Sequence, residues 1–105
     1  MDIYTERPYT SPMLTGDIFD WDDSKAGANI AKHGVSFDYA ARIFLDAARV
    51  DLDVSRANDG ELRRKAVGMI EGRIFAVVYT ERKSTIRIIS ARRCNDKESR
   101  QYGTV

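Results

Sequence analysis

The alternation of apolar and polar residues divides most of the chain into short elements. In IFDWD, residues 18–22, Phe19 and Trp21 point one way and Asp20 and Asp22 the other, the two-residue period of a strand with one buried face. Ser24 is placed to cap a helix running from Lys25 to about His33, with Gly34 as its left-handed stop. At about 100° per residue, Lys25, Asn29 and Lys32 share a polar stripe of that helix, and Ala26 and Ile30 share an apolar face. A second helix opens at Val35-Ser36, capped by Ser36. Phe37, Ala40, Ala41 and Phe44 then recur at core-facing spacing as far as Leu45 or Asp46.

Four strand-like segments follow. Arg49–Val54 alternates, with Val50, Leu52 and Val54 on one face, and SRANDG is a loop with an Asp-Gly turn signal. Arg63–Ile70 sets Val67 and Met69 on one face and ends in a tight Glu71-Gly72 connection. Ile74–Thr80 is almost wholly apolar, as expected of a central strand covered on both faces. The polar loop ERKS leads to Ile86–Ala91. Asn95-Asp96-Lys97-Glu98 then reads as a capping box opening a short basic helix to about Tyr102. The order β-α-α-β-β-β-β-α, with short connections between consecutive strands, predicts an α+β fold. Two N-terminal helices and one C-terminal helix pack on a mainly antiparallel, curled sheet. Residues 1–16, with Pro8, Pro12 and Gly16 and no period, read as an extension, leaving 17–105 as one domain.

A chain of 105 residues can bury a modest core without covalent staples. Its single cysteine, Cys94, excludes an internal disulfide and fits a reducing compartment. No segment is long enough to span a bilayer, and the opening residues lack the pattern of a signal peptide, so a cytoplasmic location is expected. One histidine and one cysteine cannot build a zinc site. There is also no glycine-rich phosphate loop, and no cofactor is expected. Asp22 and Asp23 suit the positive end of the first helix better than catalysis.

The net charge of +1 conceals a gradient. Residues 1–24 hold one basic residue against six acids, a net −5, whereas residues 73–105 hold eight against three, a net +5. Such asymmetry points to nucleic acid or an acidic partner, and a solvated surface of mixed charge is the plainer reading. The basic set is Lys25, Lys32, Arg63, Arg64, Arg73, Arg82, Arg87, Arg92, Arg93, Lys97 and Arg100. Guanidinium forks suit phosphate, and Trp21, Tyr79 and Tyr102 offer surfaces on which bases stack. For Arg73 and Arg100 a surface ion pair is the preferred reading. For Arg92 and Arg93, at a strand end before a helix, phosphate contact is preferred. His33, the side-chain type that titrates nearest neutrality, is by itself better explained as a helix C-terminal residue facing the helix dipole.

Taken together the residues resemble a known family. Phe19, Trp21, Asp22, Lys25, Asn29, Lys32-His33-Gly34-Val35, Phe37 and Ala40 form an F-x-W-D-x-x-K-x-x-x-N-x-x-K-H-G-V-x-F-x-x-A pattern. Arg63 stands five residues before Gly68, Gly72-Arg73 precedes the apolar strand, and Thr80-Glu81-Arg82 follows it. Ile86-Arg87-Ile88-Ile89-Ser90-Ala91-Arg92-Arg93 then leads to Glu98 and Tyr102. Over about residues 18–102 this is similar to the BrnT toxins of bacterial type II toxin–antitoxin systems. Cys94 departs from the small residue usual there, and residues 1–16 lie outside the pattern.

The resemblance implies a RelE-like fold, metal-independent RNA cleavage and arrest of translation. It also implies a BrnA-like antitoxin with a ribbon-helix-helix DNA-binding domain, and repression of the operon by the complex. In that frame Lys25 and His33 are candidates for proton transfer, and Arg63, Arg82 and Arg92 for stabilising a phosphorane. Lys32, Asn29, Arg87, Arg93, Lys97 and Tyr102 are candidates for holding RNA. Two other readings remain open at this level. The basic face could serve a non-catalytic binder of an antitoxin or of operator DNA, or a stand-alone RNA-processing factor.

Overall fold

The computed structural model describes residues 19–103, so the expectations for Ile18 and for residues 1–16 lie outside the described residues. The elements are β1 (Phe19–Asp20), α1 (Asp23–His33), α2 (Phe37–Ala40) continued by a 3₁₀ helix (Ala41–Leu45), β2 (Val50–Asp53), β3 (Arg64–Ile70), β4 (Arg73–Arg82), β5 (Thr85–Arg93) and α3 (Asp96–Gly103). The five strands form one sheet in the order β1-β5-β4-β3-β2. Strands β2 to β5 are antiparallel neighbours, and β1 closes the far edge parallel to β5, pairing Phe19 with Ile86 and Asp20 with Arg87. The α+β architecture is the expected one.

Capping differs from the sequence reading at one place and agrees at two. Asp22, not Ser24, is the N-cap of α1: its carboxylate accepts the Lys25 N–H at 3.0 Å, because the helix begins two residues earlier than expected. Ser36 caps α2 as predicted. Asn95 and Glu98 form the reciprocal capping box of α3, Glu98 N–H on Asn95 Oδ1 at 2.9 Å and Asn95 N–H on Glu98 Oε1 at 3.1 Å. Glu71 and Gly72, both at positive φ, close the β3–β4 hairpin in two residues.

Paired residues in neighbouring strands share a face, so the register sorts the sheet into two. One face carries Ala66, Phe75, Val77, Tyr79, Ile88 and Ala91, buried against Val35, Phe37, Ala40, Ile43 and Phe44 of the N-terminal helical layer. Phe19 and Trp21 pack on Phe44 and Phe37 and complete this core. Gly68 lets the 3₁₀ helix approach β3: a Cβ there would stand 2.8 Å from Ile43 Cγ1. The opposite face carries Lys65, Val67, Ala76, Val78, Thr80, Arg87, Ser90 and Arg92. α3 packs against β3 on this face, through Lys65 and Arg92 to Glu98, and Val67 and Ala76 are buried. The central strand β4 is thus covered on both sides, as its composition predicts.

A β-bulge decides where the arginines of β5 point. Val78 pairs with Ser90 and Tyr79 with Ile88, leaving Ile89 without a partner. Strict alternation would set Arg87 and Arg92 on opposite faces. The extra residue resets the phase, so both lie opposite the core while Ile88 and Ala91 both enter it.

β1 pairs with only two residues of β5, and beyond them Asn29 takes over the strand's edge. Its Nδ2 donates to Ala91 O at 2.8 Å and to Val35 O at 2.9 Å, and its Oδ1 accepts the Ala91 N–H at 3.1 Å. Asn29 is 7% exposed. Among the described residues no helix is long and apolar enough to cross a membrane.

Candidate active site

Lys25, Arg63, Arg82 and Arg87 come from four different elements and line one cleft of about 200 Å³, together with Asp22, Glu61, Thr80, Ile88 and Ile89. Lys25 stands in the first turn of α1, beside the capping carboxylate of Asp22. Arg63 precedes β3 and is held by its backbone: its N–H donates to Ser55 Oγ at 2.7 Å and its carbonyl accepts the Val54 N–H at 2.9 Å. Buried Thr80 straps the same loop to β4 by donating its hydroxyl to Leu62 O at 2.7 Å. Arg82 ends β4, its Nη2 3.2 Å from Glu61 Oε1, and Arg87 reaches across to Asp20 at 3.2 Å.

The electrostatics of the cleft favour an anionic guest. Four cations line it against two carboxylates, Asp22 and Glu61. Arg82–Glu61 and Arg87–Asp20 are solvent-accessible pairs, of the kind worth ~0–1 kcal/mol, so an incoming phosphate competes with them at little cost. Arg63 has a buried Nε with no hydrogen-bond partner, the Asp59 carboxylate lying 4.0 Å off. The sequence reading missed Glu61 and Thr80. Glu61 sits two residues before Arg63, but only the strap between Thr80 and Leu62 brings it to the cleft.

Residues 21–98 match the BrnT family, ribonuclease toxins of type II toxin–antitoxin systems. This chain belongs to the BrnT family. The match runs from Trp21 to Glu98 and takes in every residue that lines the cleft. No curated protein matches the chain.

Other BrnT-like candidate residues lie elsewhere, and three are engaged by partners within the fold. Arg92 does not reach the cleft. Its fork grips Glu98 in a bidentate pair, Nη1 on Oε1 and Nη2 on Oε2, both at 2.7 Å, and Lys65 Nζ adds a third contact at 2.7 Å. Glu98 is 3% exposed; chiefly the Arg92 hydrogen bonds, with Lys65 and the Asn95 N–H, push its carboxyl down to about 2. The same pairing raises Arg92 further above its ordinary range. Asn29 holds backbone, with both amide hydrogens engaged, so it has no donor left for RNA. Tyr79 is core, not a base platform, its hydroxyl donating to Asp51 at 2.6 Å.

His33 is in the last turn of α1, eight residues and ~12 Å along the axis from Lys25. It faces a second groove with Arg93 and Arg73. Lys32 and Lys97 are exposed on α1 and α3. Tyr102 donates its hydroxyl to Asp46 at 2.8 Å, which raises its pKa, and borders a third hollow with Leu45 and Met69. Among the described residues no three His, Cys, Asp or Glu side chains are grouped to hold a metal ion.

Proposed function

We propose that the cleft bordered by Lys25, Arg63, Arg82 and Arg87 is where this BrnT toxin cleaves RNA, without a metal. The convergence of four cations from α1, the β2–β3 loop, β4 and β5 on one small cleft carries the reading. A scissile phosphate seated there meets guanidinium forks on several sides, fixed before the substrate arrives. The ribose 2′-oxygen attacks the adjacent phosphorus, the P–O2′ bond forms and the P–O5′ bond breaks. Glu61, the carboxylate beside Arg82, takes the 2′-hydroxyl proton. The Lys25 ammonium delivers one to the departing 5′-oxygen, leaving a 2′,3′-cyclic phosphate and a 5′-hydroxyl. Arg63, Arg82 and Arg87 stabilise the extra negative charge of the phosphorane between those events.

In the cell, this activity would arrest translation, and a BrnA-like antitoxin with a ribbon-helix-helix domain would neutralise it and direct the pair to its own operator. The defining experiment is cleavage of end-labelled RNA by the purified chain with EDTA present, read for cyclic-phosphate ends. Cleavage is expected to persist in EDTA and to fall by about 100-fold or more in Arg63→Ala, the loss typical of one fixed charge-stabilising donor. Loss of cleavage in EDTA, or full activity in Arg63→Ala, overturns the mechanism.

A further inference from the structure

At the opposite end of α1 from the cleft lies a broader groove of about 520 Å³, lined by Ile30, His33, Val35, Tyr39, Arg73 and Arg93 among others. Its composition differs from that of the cleft. No carboxylate lines it, its cations are Arg73 and Arg93, and His33 adds an imidazole. Its apolar members include Ile30, 50% exposed on the helix face that Ala26 turns into the core. We propose that this groove seats an acidic, amphipathic segment of a protein partner, at a distance from the RNA-cleaving cleft.

Charge and shape together select that occupant. Arginines flanking aliphatic surface match a segment that alternates carboxylates with apolar side chains. RNA would find the cations but little surface on which to stack. Phe75 is 4% exposed, with Arg93 over its ring at 5.8 Å and Tyr39 against it edge-on at 5.8 Å. The Tyr39 ring is in turn covered by Arg42 at 5.1 Å, and its hydroxyl is held by Glu71 at 2.7 Å. Phe75 is too buried to offer a face to a base and Arg42 already takes one face of Tyr39, whereas Ile30 offers exposed apolar surface to a partner with apolar side chains. For one half of a toxin–antitoxin pair, such a seat would let the partner hold the toxin by a surface other than its cleft. The assignment does not depend on which residues cleave RNA.

The test uses the full chain and three labelled probes in fluorescence anisotropy. They are a 16-residue Glu- and Leu-rich peptide with leucines at helical spacing, its scrambled counterpart, and a 16-nucleotide uridine RNA. The helically spaced peptide is expected to bind at least about tenfold more tightly than the scrambled one. Ile30→Glu and Arg73→Glu, both at exposed positions, are each expected to weaken it by about tenfold. Both variants should keep the wild-type circular dichroism spectrum and RNA affinity. Equal binding of the two peptides, or peptide binding indifferent to both substitutions, overturns the proposal. So does a tenfold loss of RNA affinity in the variants, which would make the groove an RNA surface. A wild-type chain that binds the peptide but cleaves no RNA would sink the ribonuclease cleft and leave this assignment standing.

Discussion

Two clusters of cations occupy the same face of the sheet and are built on opposite terms. At the α3 end, Lys65 and Arg92 close on a single buried carboxylate, Glu98, with three contacts of 2.7 Å. At the other end, Lys25, Arg63, Arg82 and Arg87 surround open space, their acidic neighbours pairing at 3.2 Å or more. In the first cluster two cations share a carboxylate that is buried and caps a helix, so they are held in place by short contacts. In the second each arginine has only a longer or more exposed acidic neighbour, and the cations stay within reach of solvent and a ligand. An arginine is therefore assigned by where its counter-charge lies, not by its place in a basic run.

The largest effect expected from this contrast is on stability. Glu98→Ala leaves Lys65 and Arg92 facing each other without a carboxylate and opens the capping box of α3, at a cost of ~3–5 kcal/mol in urea unfolding. A loss under ~1 kcal/mol would reduce the cluster to an ordinary surface pair and erase the distinction. The mirror experiment is Arg63→Ala. Cleavage should drop by ~10²–10³-fold, with an unfolding midpoint changed far less than by Glu98→Ala. If the two substitutions affected activity and stability in equal proportion, the clusters would not be separable.

The sequence carried the element order, the capping box and the apolar central strand because each is written in local spacing. Asn95 and Glu98 cap each other three residues apart, and that separation is visible in the chain. The other role of Glu98 is not, because it depends on α3 folding back over β3, 33 residues from Lys65. Asn29 was misread for a similar reason. Helical geometry placed it with Lys25 and Lys32, but its function is set by the free edge of β5, 62 residues away. Arg87 and Arg92 share a face only through the bulge at Ile89, which no period reveals. The cleft was half legible. Its cations are conspicuous in composition, while Glu61 enters on a loop that Thr80 of β4 straps in three dimensions.

Acid provides a third comparison. The folded-state value of Glu98, about 2, lies below its ordinary 4.5. Its contribution is therefore fully present above pH ~4.5 and is lost as the pH falls from there toward 2, up to ~3 kcal/mol in all. Urea midpoints of the wild type should decline across that window. Glu98→Gln, already destabilised at neutral pH, should decline less steeply there. Parallel declines would place the acid sensitivity in other carboxylates, such as Asp53 and Asp59, whose values are also lowered, chiefly by backbone hydrogen bonds from Ser55 and Arg56.

The smallest expected effect separates the two clusters most sharply. Arg92→Lys keeps the positive charge beside Glu98 but replaces a bidentate fork with a single ammonium. Losing one of two charge-assisted hydrogen bonds, with the charge retained, is worth ~1–2 kcal/mol in the folded state. Arg82→Lys makes the same chemical change in the cleft, where the Glu61 pair is exposed and contributes little to stability. The expected pattern is crossed: Arg92→Lys lowers the unfolding midpoint and leaves cleavage per folded molecule within about twofold. Arg82→Lys does the reverse, because a phosphorane needs planar donors that a protein fold can do without. A strong loss of cleavage in stable, folded Arg92→Lys would return Arg92 to the reacting phosphate and require Glu98 to release it when RNA binds.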